Sequence, residues 1–321
     1  MKIGVFTSLF LNLSVDEMLD KAAELGLDMV EIGTGNYPGN PHCDIDELIS
    51  NEKALKEYER KFAERNLRIS ALSCHGNPLH PNKELAKAHH VTWRKTVQLA
   101  EKMGVEVVVG FSGCPGDSET SRYPNWVTCA WPPDFQEIIE WQWEKVISYW
   151  KDETKFAKSH GIHKIAIEMH PGMVVYNPET LLKLREATDE NIGANFDPSH
   201  LFWQQIEPVA AIRALEGALF HVHAKDTYID KVTCSLNGVL DTKHYAEVAR
   251  RSWNFRTVGF GHDSLVWKDI VSALRMVGYD YVLSIEHEDP LASPDEGVRK
   301  AVRFLRQVIF AEEPPGGMWW T

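Results

Sequence analysis

His163-Lys164-Ile165-Ala166-Ile167-Glu168-Met169-His170 is the stretch that decides the fold. Bulky Ile165, Ile167 and Met169 alternate with Ala166, Glu168 and His170, and a period of two belongs to a β-strand. The bulky side can pack against helices, while the other side, small at first and then ionisable, faces a narrow interior. Seven more runs read alike: Lys2-Ser8, Met29-Thr34, Arg68-His75, Val105-Gly113, Ile192-His200, Leu219-Asp226 and Tyr281-Asp289. Each is rich in Val, Ile, Leu, Phe or alternating small residues, and amphipathic helical stretches separate them. Repeated βα units predict a parallel sheet, and eight of them predict closure into a single (β/α)8 TIM barrel.

Turn signals agree. Ser14-Val15-Asp16-Glu17 is a capping box opening a helix that ends at Leu25-Gly26, and glycines 104, 161 and 278 each stand just before a strand. Helix-to-strand turns are therefore short and strand-to-helix turns longer, and in such a barrel the longer set builds the active site. Two insertions stand out as lids, Cys114 to about Phe135 after the fourth strand and Thr227 to Trp267 after the seventh. No composition break divides the chain, so residues 1–311 read as one catalytic domain. Residues 312–321, with Pro314-Pro315-Gly316-Gly317 and Trp319-Trp320, read as a tail packed on the surface or on a neighbouring subunit.

Length and composition narrow the function. The 321 residues suit one barrel with long loops, and the 44% hydrophobic fraction holds no run of the roughly 18 apolar residues a membrane span needs. Met1-Lys2 leads straight into Ile3-Gly4-Val5-Phe6 without a cleavage motif, so a cytoplasmic location is expected. Five cysteines, an odd number without C-x-x-C spacing, predict packed thiols rather than disulfides or a zinc knuckle. The net charge of -12 argues against nucleic acid and anionic membranes, and a neutral or cationic small molecule fits better.

The later strands end in ionisable residues. Alternation sends Glu168 and His170 inward from the fifth strand and Asn195 and Asp197 from the sixth. His221, His223 and Lys225 point inward from the seventh, and Val282, Ser284 and Glu286 from the eighth. Phe220, Val222 and Ala224 face out by the same rule. Glu168, Asp197, His223 and Glu286 thus converge, and three carboxylates share a small buried space only with a cation or with raised pKa values. One divalent metal ion resolves the conflict. Oxygen ligands with one imidazole suit Mn2+ first, with Mg2+, Co2+ or Fe2+ possible, and suit zinc less because no thiolate takes part.

These strand ends, Ile167-Glu168-Met169-His170-Pro171, Asn195-Phe196-Asp197-Pro198-Ser199-His200, His221-Val222-His223-Ala224-Lys225-Asp226 and Ser284-Ile285-Glu286-His287-Glu288-Asp289, resemble the xylose-isomerase-like sugar isomerase/epimerase family. Arg256-Thr257-Val258-Gly259-Phe260-Gly261-His262-Asp263 adds to the match, although ketose 3-epimerases often carry proline where Val258 stands. The resemblance implies a metal held by Glu168, Asp197, His223 and Glu286, with Glu168 and Glu286 also acting as acid and base on opposite faces of a sugar. It further implies His200 and Arg256 as ligands of substrate oxygens, Lys225 or Asp226 as support behind the metal ligands, and a homo-oligomer. A lyase branch, similar to inosose dehydratase or to C-glycoside deglycosidases with their second subunit, competes with the isomerase reading.

Removal of a proton beside a sugar carbonyl gives an enediolate that needs preorganised positive charge. Return of the proton to the opposite face is epimerisation, relay to the adjacent carbon is isomerisation, and loss of a β-substituent is elimination. The chain carries no Walker-type loop or arginine cluster near the later strand ends, which favours an unphosphorylated sugar or glycoside. His75, at the end of the third strand, is either a further acid or substrate ligand or a structural hydrogen-bond partner, and His170 a substrate contact or an orienter of a metal ligand. Glu31 is either a substrate contact or a barrel ion pair. Trp126, Trp131, Trp141, Trp143 and Trp150 either stack on a sugar or pack helix against barrel. A barrel that binds carbohydrate without catalysis is the non-enzymatic alternative. An endonuclease IV-like DNA-repair role conflicts with the acidic charge.

Overall fold

Each short apolar run becomes a strand. The computed structural model describes residues 1–313, 315–317 and 320. Its strands are β1 (Lys2–Phe6), β2 (Met29–Gly33), β3 (Arg68–Ser73), β4 (Val107–Phe111), β5 (Lys164–Glu168), β6 (Ile192–Phe196), β7 (Leu219–Ala224), β8 (Asp226–Ile229), β9 (Trp253–Arg256) and β10 (Val282–Ile285). Eight of them close into a barrel in the order β1-β10-β7-β6-β5-β4-β3-β2, every neighbouring pair parallel. The fold is a (β/α)8 barrel. β8 and β9 form a separate antiparallel ribbon that pairs Asp226 with Arg256 inside the second insertion. Of the tail, Pro314 and Trp319 lie outside the described residues.

Local signals act as expected. Ser14 Oγ accepts from the Glu17 amide and the Glu17 carboxylate accepts from the Ser14 amide, which opens the helix Val15–Glu24. Gly104 takes φ 64° and closes the helix Lys83–Met103, a left-handed turn that a side chain would disfavour. β6 stops at Phe196, short of the expected His200. Asp197 is instead the N-cap of the helix Pro198–Trp203, accepting the Ser199 amide at 2.8 Å, with proline at the first helical position.

The first insertion is tied down. Gln142, 3% exposed on the helix Asp134–Ser159, donates from Nε2 to the carbonyls of Pro115, Gly116 and Asn125 at 3.2, 2.9 and 2.6 Å. The thiols of Cys43, Cys74 and Cys114 are buried, and burial pushes those of Cys74 and Cys114 up to about 12, so they are inert packing groups. Among the described residues no helix is long and apolar enough to cross a membrane.

Helices cover the outer faces of the strands, where Ile165, Ile167, Trp150 and Trp267 are buried. The interior is built differently: small Ala71, Val107, Val109 and Ala166 form its lower layer, and Phe220 and Tyr281 pack against them. Phe220 therefore departs from the outward orientation that alternation assigns it. The reason is a register shift, because Ala194 pairs with Leu219 while Asn195 pairs with His221, which leaves Phe220 as an extra residue in β7. A like shift in β3 leaves Ser70 unpaired between Ile69 and Ala71. Gly193 makes room for the ring: a Cβ there would stand 2.4 Å from the Phe220 ring and 2.6 Å from the Ala218 carbonyl.

Gly193→Ala should accordingly cost about 2–3 kcal/mol through overpacking. In urea unfolding its midpoint should fall with the slope unchanged; a midpoint equal to that of the parent protein would mean that the barrel floor yields freely.

Candidate metal centre

Glu168 ends β5, Asp197 follows β6, His223 lies in β7 and Glu286 follows β10, so all four stand at the C-terminal mouth of the barrel. One donor atom from each lies within 4.8 Å of the others. An ion with bonds of about 2.1–2.4 Å keeps its donors within about 4.2–4.8 Å, so the spacing fits a single divalent cation. Satisfaction points the same way. Asp197 Oδ2, His200 Nε2 and His223 Nδ1 are buried without a hydrogen-bond partner, although His223 Nδ1 is 3.1 Å from Glu286 and 3.3 Å from Glu168. Buried polar atoms that converge without bonding geometry suit a shared ion.

Two carboxylates 4.8 Å apart repel by roughly 3.5 kcal/mol at an effective dielectric of about 20. Burial, together with the charges of Glu168 and Glu286, raises the Asp197 carboxyl against the opposing charges of His200 and Lys225. Glu168 and Glu286 are also opposed by burial, but the charges of His75 and His223 on the first and of Lys225 and His223 on the second hold them below the usual carboxylate range. His223 answers in kind: against its burial, Glu31, Glu286 and Glu168 raise it well above the ordinary imidazole value. In the chain alone, a proton on His223 stands where the charge balance calls for a cation.

Beneath the four lies a layer that the sequence only half disclosed. Glu31 of β2 is fully buried and faces His223 Nε2 at 3.0 Å. Ser73 and Ser284 donate to its two oxygens at 2.5 and 2.6 Å. The charges of His223 and His221 hold it, despite burial, at about 2. Glu31 thus resolves to an internal ion pair rather than a substrate contact, and by accepting from Nε2 it leaves His223 Nδ1 turned toward the carboxylates. Asn195 joins this layer, donating to Glu168 at 2.8 Å and accepting from His221 at 3.0 Å.

A cavity of about 310 Å3 opens above the centre, lined among others by Glu168, Glu286, His75, His170 and Lys225. His75 Nε2 donates to Glu168 at 2.9 Å. Lys225 Nζ sits 3.1 Å from Glu286, 2.5 Å from Glu288 and 3.8 Å from Asp197. His200 Nε2 lies 3.3 Å from both Glu168 and Asp197, its position set by the Asp197-capped helix. His170 rests on the His200 ring at 4.2 Å, and burial followed by the His200 charge lowers it to about 3, which keeps it neutral.

Asp226 and Arg256 are not brought to the cavity. Asp226 is buried and accepts the amides of Gly259, Gly261 and His262 at 3.0–3.1 Å and the Trp267 indole at 3.2 Å, so it anchors the loop that crosses behind the site. Arg256 pairs with Asp289 at 3.1 Å. Both serve the second insertion, whose shape no strand periodicity encodes. None of the five tryptophans near the first insertion lines this cavity: Trp143 and Trp150 are buried on their helix, Trp126 packs on Tyr176, Lys145 lies over Trp141, and Trp131 is exposed.

A family model described as xylose isomerase-like TIM barrel matches residues 19–308. The chain is 41% identical over 312 residues to the uncharacterized protein YfiH of Bacillus subtilis (strain 168), covering 96% of this chain and 99% of that one. It is 25% identical over 213 residues to inosose dehydratase of Glaesserella parasuis serovar 5 (strain SH0165), covering 64% and 66%. A solved structure of a D-tagatose 3-epimerase-like protein aligns with a TM-score of 0.62 at 22% identity, covering 96% and 98%, a likeness of fold.

Two substitutions separate the metal-orienting layer from the loop anchor. Glu31→Gln should weaken Mn2+ binding, read by titration calorimetry, by about 10–100-fold, and an unchanged affinity would sink the orienting role. Asp226→Ala should lower unfolding free energy by about 3 kcal/mol by stranding buried donors while Mn2+ affinity stays within a few-fold.

Proposed function

The chain belongs to the xylose isomerase-like TIM-barrel family, and on that premise we propose that it is a divalent-metal-dependent isomerase or epimerase of an unphosphorylated ketose or keto-sugar. The observation that carries the reading is the convergence of Glu168, Asp197, His223 and Glu286 donors within 4.8 Å at the floor of a cavity. Mn2+ is the ion assigned first, because three carboxylates and one imidazole form a hard donor set, with Mg2+, Co2+ or Fe2+ as alternatives. When bound, the ion supplies positive charge against the oxygen that becomes negative as the proton leaves.

The rest of the chemistry falls to side chains. Glu168 and Glu286 are both held ionised, so either can take the proton beside a carbonyl. Each also has its own proton-bearing neighbour, His75 Nε2 for Glu168 and Lys225 Nζ for Glu286. A glutamate that accepts a proton from one face is thus matched by a partner that can be resupplied on the other. His75 and His170 on the cavity wall are assigned to substrate oxygens, His200 stands behind them beside Glu168 and Asp197, and Phe6 and Phe111 on the cavity wall keep water away from the reacting carbon.

A second reading is β-elimination, favoured by the match to inosose dehydratase. It uses the same proton abstraction, and the outcome turns on whether the carbon next to the enediolate carries a group that can leave.

Incubation with Mn2+ and a panel of free ketoses and 3-keto-glycosides in D2O, with chelation before proton NMR, decides between them. Deuterium beside the carbonyl, with a new epimer or aldose, is the expected result, and Glu286→Gln should slow it by about 10²–10⁴-fold. Release of an aglycone or formation of an unsaturated keto-sugar would transfer the assignment to the lyase reading; no exchange with any sugar would overturn both.

A further inference from the structure

A second cavity, of about 440 Å3, adjoins the first and shares His170 and Glu288 with it. Its remaining walls come from the second insertion and the loop after β10: Tyr245, Asn254, Phe255 and Pro290. Each cavity alone falls within the range of roughly 300–1,000 Å3 typical of small-molecule sites. The pair therefore has room for two ring-sized units side by side.

The walls say what kind of unit. Tyr245 stacks on Phe255 with ring centroids 5.9 Å apart and planes within 15°, yet Tyr245 remains 54% exposed. Behind them Trp253 and Trp203 stack at 4.7 Å and 5°, a rigid backing for the platform. Arg251 lies over the Tyr245 ring at 4.3 Å and Lys225 over the Phe255 ring at 4.2 Å, and the remaining aromatic surface gives the cavity a partly apolar wall against which a flat or chair-shaped ring can pack. Asn254 is 6% exposed, and while its Nδ2 donates to the Val248 carbonyl at 3.0 Å, its Oδ1 has no partner. Glu288, half exposed on the boundary between the cavities, adds a second acceptor. Two acceptors beside an aromatic platform call for a ring that carries hydroxyl donors, and they disfavour an acidic one.

We propose that this cavity is a subsite for the second ring of a glycoside, a hydroxylated unit that packs against the exposed side of Tyr245 and donates to Asn254 Oδ1, while the reacting sugar sits over the candidate metal centre. The substrate class is then a two-ring glycoside rather than a free monosaccharide. The proposal rests on the sugar reading of the first cavity and extends it. The shared chemistry, a ring with an apolar face and hydroxyl groups, is met by a second sugar or by a phenolic aglycone.

Saturation-transfer NMR on the Mg2+-loaded protein separates the cases with D-fructose, maltulose and arbutin as probes. At least fivefold tighter binding of maltulose than of D-fructose, with saturation on both of its rings, is the expected result, and Tyr245→Ala and Asn254→Leu should each abolish the gain while the D-fructose signal stays. The same gain for arbutin alone would support the subsite and assign it to a phenolic aglycone. Equal affinity for all three probes, insensitive to Tyr245→Ala, would overturn the subsite and leave the sugar reading of the first cavity standing. Absence of saturation on every probe, D-fructose included, would overturn both.

Discussion

Charge balance at the mouth of the barrel governs this molecule. Glu168, Asp197 and Glu286 meet where water is scarce, and His223 joins them from below. Neither burial nor hydrogen bonding neutralises three carboxylates there, so Lys225 stands beside Glu286, the imidazoles of His75 and His200 stand beside Glu168, and a proton or an ion is called for at His223. The carboxylate of Glu31 then compensates the imidazole from the far side. The alternating charge runs from the cavity into the barrel, and each layer holds the next in place.

That alternation also explains why the centre was legible in the sequence and its supports were not. Glu168, His223 and their neighbours lie in strands where the period of two holds, so their inward orientation follows from bulky residues facing helices. Asp197 and Glu286 stand one residue past their ladders and keep the same phase. Glu31 was visible as inward, but its partner was not, because His223 lies 192 positions away and the pairing exists only once the barrel closes. Ser70 and Phe220 escape the rule because each is the extra residue of a register shift, where two consecutive side chains break the alternation.

The second insertion shows the other limit of periodicity. Its ribbon, with Asp226 opposite Arg256, is ordered by pairings and by one buried carboxylate that gathers three amides and an indole. Nothing in the spacing of Tyr245, Asn254 and Phe255 announces that they share a wall. The backbone places Lys225 and Asp226 side by side yet sends one into the charge balance and the other into the loop, so a single peptide bond joins the candidate metal centre to the insertion beside it.

Phe220 and Tyr281, resting on small interior residues, give the barrel a stopper at its base. The cavity beside Glu168 and Glu286 opens at the end of the barrel away from that stopper. If that cavity is the active site proposed above, an occupant seated over Glu168 and Glu286 stands between them and bulk solvent, and the two glutamates would trade protons with their own guest and immediate neighbours before they trade with the medium. On that reading residence time becomes part of the chemistry: the longer the stay, the more of the original hydrogen would be lost to the outside.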